Sequence, residues 1–198
     1  MTDHYNKKQE YQERHRFWAD KRIAQLSFHN NLLLTLGFAI IGYFWSERSG
    51  IYTKLIIDFE SDIEWKVLCF LLGLVLSTLS VLAGFTLSMS RLYDLRLTAN
   101  IALTRKRALD KNISINEEEV SKSGIVVSLL SLISVMWCYE KYNINKSEIT
   151  NSDDFSRKFK KLRQKASDLG EATWCLLLWQ TLCMLFAFIF FVTTLALK

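Results

Sequence analysis

Apolar residues along the chain fall into long blocks and narrow stripes. Residues 67–89 (VLCFLLGLVLSTLSVLAGFTLSM) run for 23 positions without a charge, and residues 173–197 (TWCLLLWQTLCMLFAFIFFVTTLAL) for 25. About 20 apolar residues span the hydrocarbon core of a bilayer, so both blocks predict membrane-crossing helices. A third block, 26–45 (LSFHNNLLLTLGFAIIGYFW), opens on the polar step His29-Asn30-Asn31 and closes on Tyr43 and Trp45. Aromatic residues favour that interfacial position, and the block predicts a third crossing. A fourth, 124–139 (GIVVSLLSLISVMWCY), has only 16 residues. It is expected to form a buried core helix or a re-entrant segment rather than a crossing. Gly124, Ser128 and Ser131 share one face of it, a small-residue stripe that permits close helix contact.

Two stripes have coiled-coil spacing. Phe155, Phe159, Leu162, Ala166, Leu169 and Thr173 alternate steps of four and three, while Arg157, Lys158, Lys160, Lys161, Arg163 and Lys165 occupy the other faces. The pattern is a narrow apolar seam with a basic exterior. Ser152, Asp153 and Asp154 supply a cap and an acidic first turn at its start. Leu92, Leu95, Ala99, Ala102 and Leu109 form a second seam, interrupted by Lys106. The helix of the second span is therefore expected to continue to about Ala108, with this edge turned toward the 155–173 seam. Ser114 and Glu117 have the spacing of a capping box, which predicts a helix start leading into 124–139.

Charge sets an expected orientation. The first 25 residues carry six Lys/Arg, the linker 46–66 carries three against five Asp/Glu, and residues 91–171 carry fifteen. Basic residues near span ends favour the cytoplasmic side. The N-terminus and the long basic segment are thus expected inside, and the acidic linker and the C-terminus outside. A crossing by 124–139 would put eight Lys/Arg between residues 141 and 165 outside, which argues against it.

The expected fold class is all-α: a multi-pass helical membrane protein with a cytoplasmic helical bundle or coiled-coil segment. Its parts are an amphipathic N-terminal helix (1–25), a transmembrane hairpin (26–90), a cytoplasmic helical region (91–171) and a C-terminal span (172–198). Composition agrees, since the 198 residues include no proline and only seven glycines, and helix interiors reject both. A net charge of +5, with 20 acidic residues, suits an anionic lipid surface and is too mixed to predict nucleic-acid binding. Cys69, Cys138, Cys175 and Cys183 lie in apolar runs without metal-ligand or redox spacing, as small buried hydrophobes do.

Chemistry-bearing positions are few. Arg91 and Arg96, with Asp94, stand where a helix leaves the bilayer; Arg105, Lys106 and Arg107 follow. These, with Lys158 and Lys161, are candidate contacts for lipid headgroups or a docked partner. The ordinary alternative is arginines that snorkel to the interface and a solvated basic face. Gln180 and Thr181 need polar partners within an apolar helix, which a neighbouring helix or an oligomeric pore would supply. Gly73, Ser77, Ser80 and Gly84 form a small-residue face suited to packing or to a pore lining. Arg22 and His29 match the spacing seen in HEPN-type ribonucleases, but Ile23 follows the arginine and His29 sits at the membrane entry. No HExxH, GxSxG, P-loop or GxGxxG pattern occurs. No catalytic, cofactor or metal residues are assigned, and an enzyme is not expected.

The charged N-terminal helix, the stretch QLSFHNNLLLTLGFAIIGY and a second span ending in SRLYDLRLTANIALTRKR together resemble small bacterial membrane proteins associated with anti-phage defence loci. These include SLATT-domain proteins and the membrane accessories of RADAR-type and type VI CRISPR loci. The likeness covers residues 10–110 in layout; the span at 173–197 departs from the simple SLATT hairpin. It implies an inner-membrane accessory or effector of antiviral defence that oligomerises and perturbs the membrane, through a pore, when a soluble partner is triggered. Gln180, Thr181 and the 73–84 face would line or seal that pore, and the 155–173 coil would receive the signal. The alternative is a membrane anchor or scaffold that recruits a soluble partner to the cytoplasmic face without pore activity.

Overall fold

The computed structural model describes residues 2–52, 65–111, 113, 120–121, 123–150 and 153–196; side chains in the first helix are described for 20–46 except 22, and residue 66 is described by its backbone. Most of the described residues are helical, and none is in a strand. Helix α1 is Thr2–Tyr52, α2 is Trp65–Asp110, α3 is Ile125–Cys138 and α4 is Asp153–Ala196, with short 3-10 turns at Tyr139–Tyr142 and Lys146–Glu148 between α3 and α4. Without proline, nothing in the covalent chain interrupts α1, α2 or α4. Each therefore joins charged and apolar sequence in one helix, α2 running from apolar to charged and α4 from charged to apolar.

Among the described residues, four helical segments are long and apolar enough to cross a membrane by length and composition: Ile23–Ser46, Val67–Asp110, Ile125–Tyr142 and Asp153–Ala196. The fourth block thus reaches the required length where the pattern predicted three crossings. It does so because the 3-10 turn extends α3 through Tyr142. The α-helical part alone has 14 residues, about 21 Å at 1.5 Å per residue.

The chain divides into two compact units, one of Met1–Gly84 with Thr181–Lys198, the other of Phe85–Gln180. The first unit is organised around Phe44, whose ring is fully buried among Leu33, Ile40, Phe70 and Met184. Phe44 meets Phe70 edge-on at 4.9 Å between centroids, and Tyr43 meets Phe191 at 5.0 Å. Such edge contacts add about 1 kcal/mol beyond area burial. Gly73 makes room for Phe44: a Cβ at that position would stand 2.8 Å from Phe44 Cζ and 3.4 Å from Phe190 Cβ.

The second unit has its own core. Leu97 and Ala108 of α2, Leu132 and Val135 of α3, Ile144 and Ile149 of the connection, and Phe155, Phe159, Leu162 and Leu169 of α4 are buried together. The α4 seam expected from heptad spacing is thus the inner face of this unit. The α2 seam is not. Leu92, Leu95 and Leu109 are 44%, 47% and 73% exposed, and Ala99 and Ala102 also face outward. Helix α2 instead turns Ser90, Leu97, Asn100, Thr104 and Ala108 inward. Small and polar side chains allow close approach and reach across: Ser90 donates to Leu169 O at 3.3 Å and stands 3.0 Å from the Thr173 hydroxyl, while Asn100 donates to Tyr142 O at 3.1 Å.

The start of α3 also differs from expectation. Gly124 precedes it in extended conformation without a side-chain cap, and residues 120, 121, 123 and 124 are not helical. The Ser114/Glu117 box and the Ser152 cap lie outside the described residues. Asp153 and Asp154 do occupy the first turn of α4. Between α3 and α4, the Lys111 ammonium donates to the carbonyls of Lys146 (3.0 Å) and Ile149 (2.9 Å), and Lys158 pairs with Glu148 at 2.7 Å.

Candidate functional site

The densest polar cluster lies between α3 and α4 in the second unit. Helical spacing brings Ser128 and Ser131 to one face of α3, and Lys165, Asp168 and Glu171, three residues apart in turn, to one face of α4. Ser131 donates to Asp168 Oδ2 at 2.7 Å, and Ser128 donates to Glu171 Oε2 at 3.1 Å. Lys165 Nζ donates to Ser131 Oγ at 2.7 Å and stands 3.9 Å from Asp168. Gln164 Nε2 reaches Asp168 Oδ1 at 3.0 Å, Ser121 O at 2.8 Å and Ser123 Oγ at 2.9 Å.

Asp168 is only 2% exposed. A buried carboxylate is tolerated where donors and a counter-charge surround it, and Ser131, Gln164 and Lys165 provide both. The pairing of 128 with 171 and 131 with 168 also fixes direction: α3 runs antiparallel to the charged stretch of α4. The serine–lysine contact resembles a nucleophile and base in distance, but Ser131 is 1% exposed and its proton is committed to Asp168. The cluster holds a helix in place.

Its consequence is on the opposite face. With its serines turned inward, α3 presents Ile125, Val126, Val127, Leu130, Ile133, Met136 and Trp137 outward, 41% to 86% exposed, with Trp137 the most open. No residue from 125 to 138 is charged. The polarity of this helix is the reverse of an ordinary surface helix.

The basic positions stand elsewhere on the second unit. Arg96 is exposed and lies over the rings of Tyr93 and Tyr139, at 5.6 and 6.0 Å from their centroids. Arg91, Arg105 and Arg107 are half-buried, and Lys106, Lys158 and Lys161 are exposed. Lys158 is engaged by Glu148, and this hydrogen bond, with a second from the Asn145 backbone, holds the Glu148 carboxyl below its ordinary value. Gln180 is fully buried.

In the first unit, Gly73, Ser77, Ser80 and Gly84 are all buried. Ser77 donates back to Gly73 O at 2.8 Å, and Gly73 is packed by Phe44 and Phe190 rather than facing open space. Thr181 Oγ1 lies 3.5 Å from His29 Nε2, between α4 and α1. The Arg22 side chain lies outside the described residues, so its spacing from His29 has no geometric counterpart here. Among the described residues no group of three His, Cys, Asp or Glu is placed to hold a metal ion. Cys69, Cys138, Cys175 and Cys183 are free thiols.

Of the small-residue stripe expected at 124–131, Ser128 and Ser131 face α4 while Gly124 stands exposed ahead of the helix with nothing packed on it. The Asp168 and Glu171 side chains that the serines meet are not apparent from the stripe itself. The available signal was two acids, three apart, following a strongly basic run. No family model, curated protein or solved structure matches the chain.

Proposed function

We propose that this chain is a multi-pass inner-membrane protein that acts by assembling with copies of itself and perturbing the bilayer, as an accessory or effector of a bacterial anti-phage system. The observation that carries the assembly is the uncharged outward face of α3 on a helix bonded to the charged part of α4. Monomeric proteins seldom leave so large an apolar patch facing water. The defence setting rests on the resemblance of residues 10–110 to SLATT-type and CRISPR-associated membrane proteins.

In this reading α1, α2 and α4 cross, with the N-terminus cytoplasmic, and α3 stays on the cytoplasmic side. Ser128 and Ser131 are bonded to Glu171 and Asp168, which precede the apolar run of α4. Because Gly73 is filled by Phe44, leakage would pass between protomers rather than through one. Exposed Lys106 and Lys161 favour a second reading, a scaffold that docks a soluble partner.

Native mass of the full chain in lipid nanodiscs, with dye release from anionic vesicles, tests the proposal. It expects a closed assembly of four or more chains and release that rises with protein density. A monomer with no release at any density would overturn it and leave the scaffold.

A further inference from the structure

The outward face of α3 has its own internal order. Val126, Leu130, Ile133 and Trp137 are separated by steps of four, three and four, the spacing with which one helix receives another by knobs-into-holes packing. They are 70%, 60%, 54% and 86% exposed. With Ile125, Val127 and Met136 the face opens on the order of 800 Å², more than the 300–600 Å² of a typical monomer's largest patch and comparable with one partner's share of a standard interface.

Three features select the occupant. Leu130 and Ile133, at the centre of the face, flank Ser131 in sequence and so stand level with Lys165 and Asp168, a charged stretch of α4 that does not suit lipid. It carries no charge from 125 to 138, and therefore no electrostatic address for a dissimilar partner. Copies that cross one bilayer in the same sense are related by an axis along its normal. The α3 helices gathered around that axis then run in the same direction and bring same-numbered residues together in layers.

We propose that α3 is a homotypic interface, on which the α3 helix of a second copy packs in parallel through Val126, Leu130, Ile133 and Trp137. This rests on the assembly proposed above and names the surface that makes it. Confinement to one membrane raises the effective concentration of the partner copy, so a 14-residue helix suffices where it would be too short in free solution.

Disulfide trapping in membranes tests the contact. Full-length chains in which Cys69, Cys138, Cys175 and Cys183 are replaced by alanine receive one cysteine each at Val126, Leu130, Ile133, Trp137 or, as a control, exposed Lys161. On oxidation, the four α3 positions are expected to give covalent dimers at least about tenfold faster than Lys161→Cys, as direct contact raises effective concentration. The double variant Leu130→Asp/Ile133→Asp is expected to keep its helicity and lose native mass in nanodiscs. An oligomeric native mass without dimers at any α3 position would overturn this interface and leave assembly standing; a monomeric unsubstituted chain would overturn both. Strong quenching of a fluorophore at Leu130→Cys by spin-labelled lipid would assign the face to lipid, and quenching by a water-soluble agent alone, without dimers, would leave it to solvent or another protein. Either result overturns the proposal.

Discussion

Ser131 of α3 and Asp168 of α4 share a 2.7 Å hydrogen bond in which both side chains are almost completely buried. This bond orients α3, because turning Ser131 inward forces Leu130, Ile133 and Trp137 outward. A helix with serines toward the core and large apolar residues toward the exterior is stable only if the buried carboxylate keeps its donors.

Removing the hydroxyl should therefore cost more than a surface contact. Ser131→Ala leaves the Asp168 carboxylate with one donor fewer, a loss of about 1–3 kcal/mol. Ser128→Ala, whose Glu171 partner is only half-buried, should cost less. Denaturant unfolding in mild detergent, followed by the fluorescence of Trp137 and its neighbours, measures both; equal and negligible losses would remove the cluster's structural role.

The inward stripe of α2 makes a direct contrast. Leu97 is fully buried and Leu95 is 47% exposed, although the two are nearly adjacent in sequence and alike in chemistry. Leu97→Ala should destabilise by about 2–5 kcal/mol, whereas Leu95→Ala should stay within about 0.5 kcal/mol of the parent. Comparable losses at both positions in a monomeric preparation would contradict the orientation of α2.

In the first unit, Gly73→Ala forces a methyl group to within 2.8 Å of the Phe44 ring. Overpacking of this kind costs about 1–3 kcal/mol. Pairing Gly73→Ala with Phe44→Leu should recover part of the loss, and a non-additive double-mutant cycle in thermal unfolding is the expected sign of contact.

Glu148 provides a pH test. Hydrogen bonds from Lys158 and from the Asn145 backbone hold its carboxyl below the ordinary glutamate value. A carboxyl with a lowered folded-state value contributes stability above its unfolded value, and the contribution disappears as pH falls through the folded one. The carboxyl carbon of Glu148 should titrate at lower pH than that of a free glutamate by NMR, and Lys158→Met should move it back toward the ordinary range. No movement in that variant would remove Lys158 as a cause.

Much of this was legible in the sequence. Absence of proline and the uncharged runs at 67–89 and 173–197 specify long helices, and the 155–169 heptad specifies the buried face of α4. The 92–109 stripe misled for a physical reason. Hydropathy weighs Leu92, Leu95 and Leu109 above Ser90, Asn100 and Thr104, yet short polar side chains permit closer helix approach, and Ser90 and Asn100 also form hydrogen bonds that leucine lacks. Their burial depends on Leu169, Thr173 and Tyr142, partners 42 to 83 residues away, which no local pattern contains. The same distance concealed Asp168 and Glu171 from a reading of 124–139. Among the basic positions, sequence located a rim but not the Tyr93 and Tyr139 rings under Arg96.

The order of synthesis gives the serine–acid contacts a further consequence. Asp168 lies 37 residues after Ser131, so α3 is made before the carboxylate that receives its hydroxyl. At about 5–20 residues per second, α3 waits a few seconds without that partner. During this interval it is an uncharged helix long and apolar enough, with the turn that follows it, to cross a membrane. The contact that turns the serines of α3 inward can therefore form only after α4 has been made, and until then no charge within 125–138 opposes entry of α3 into a bilayer.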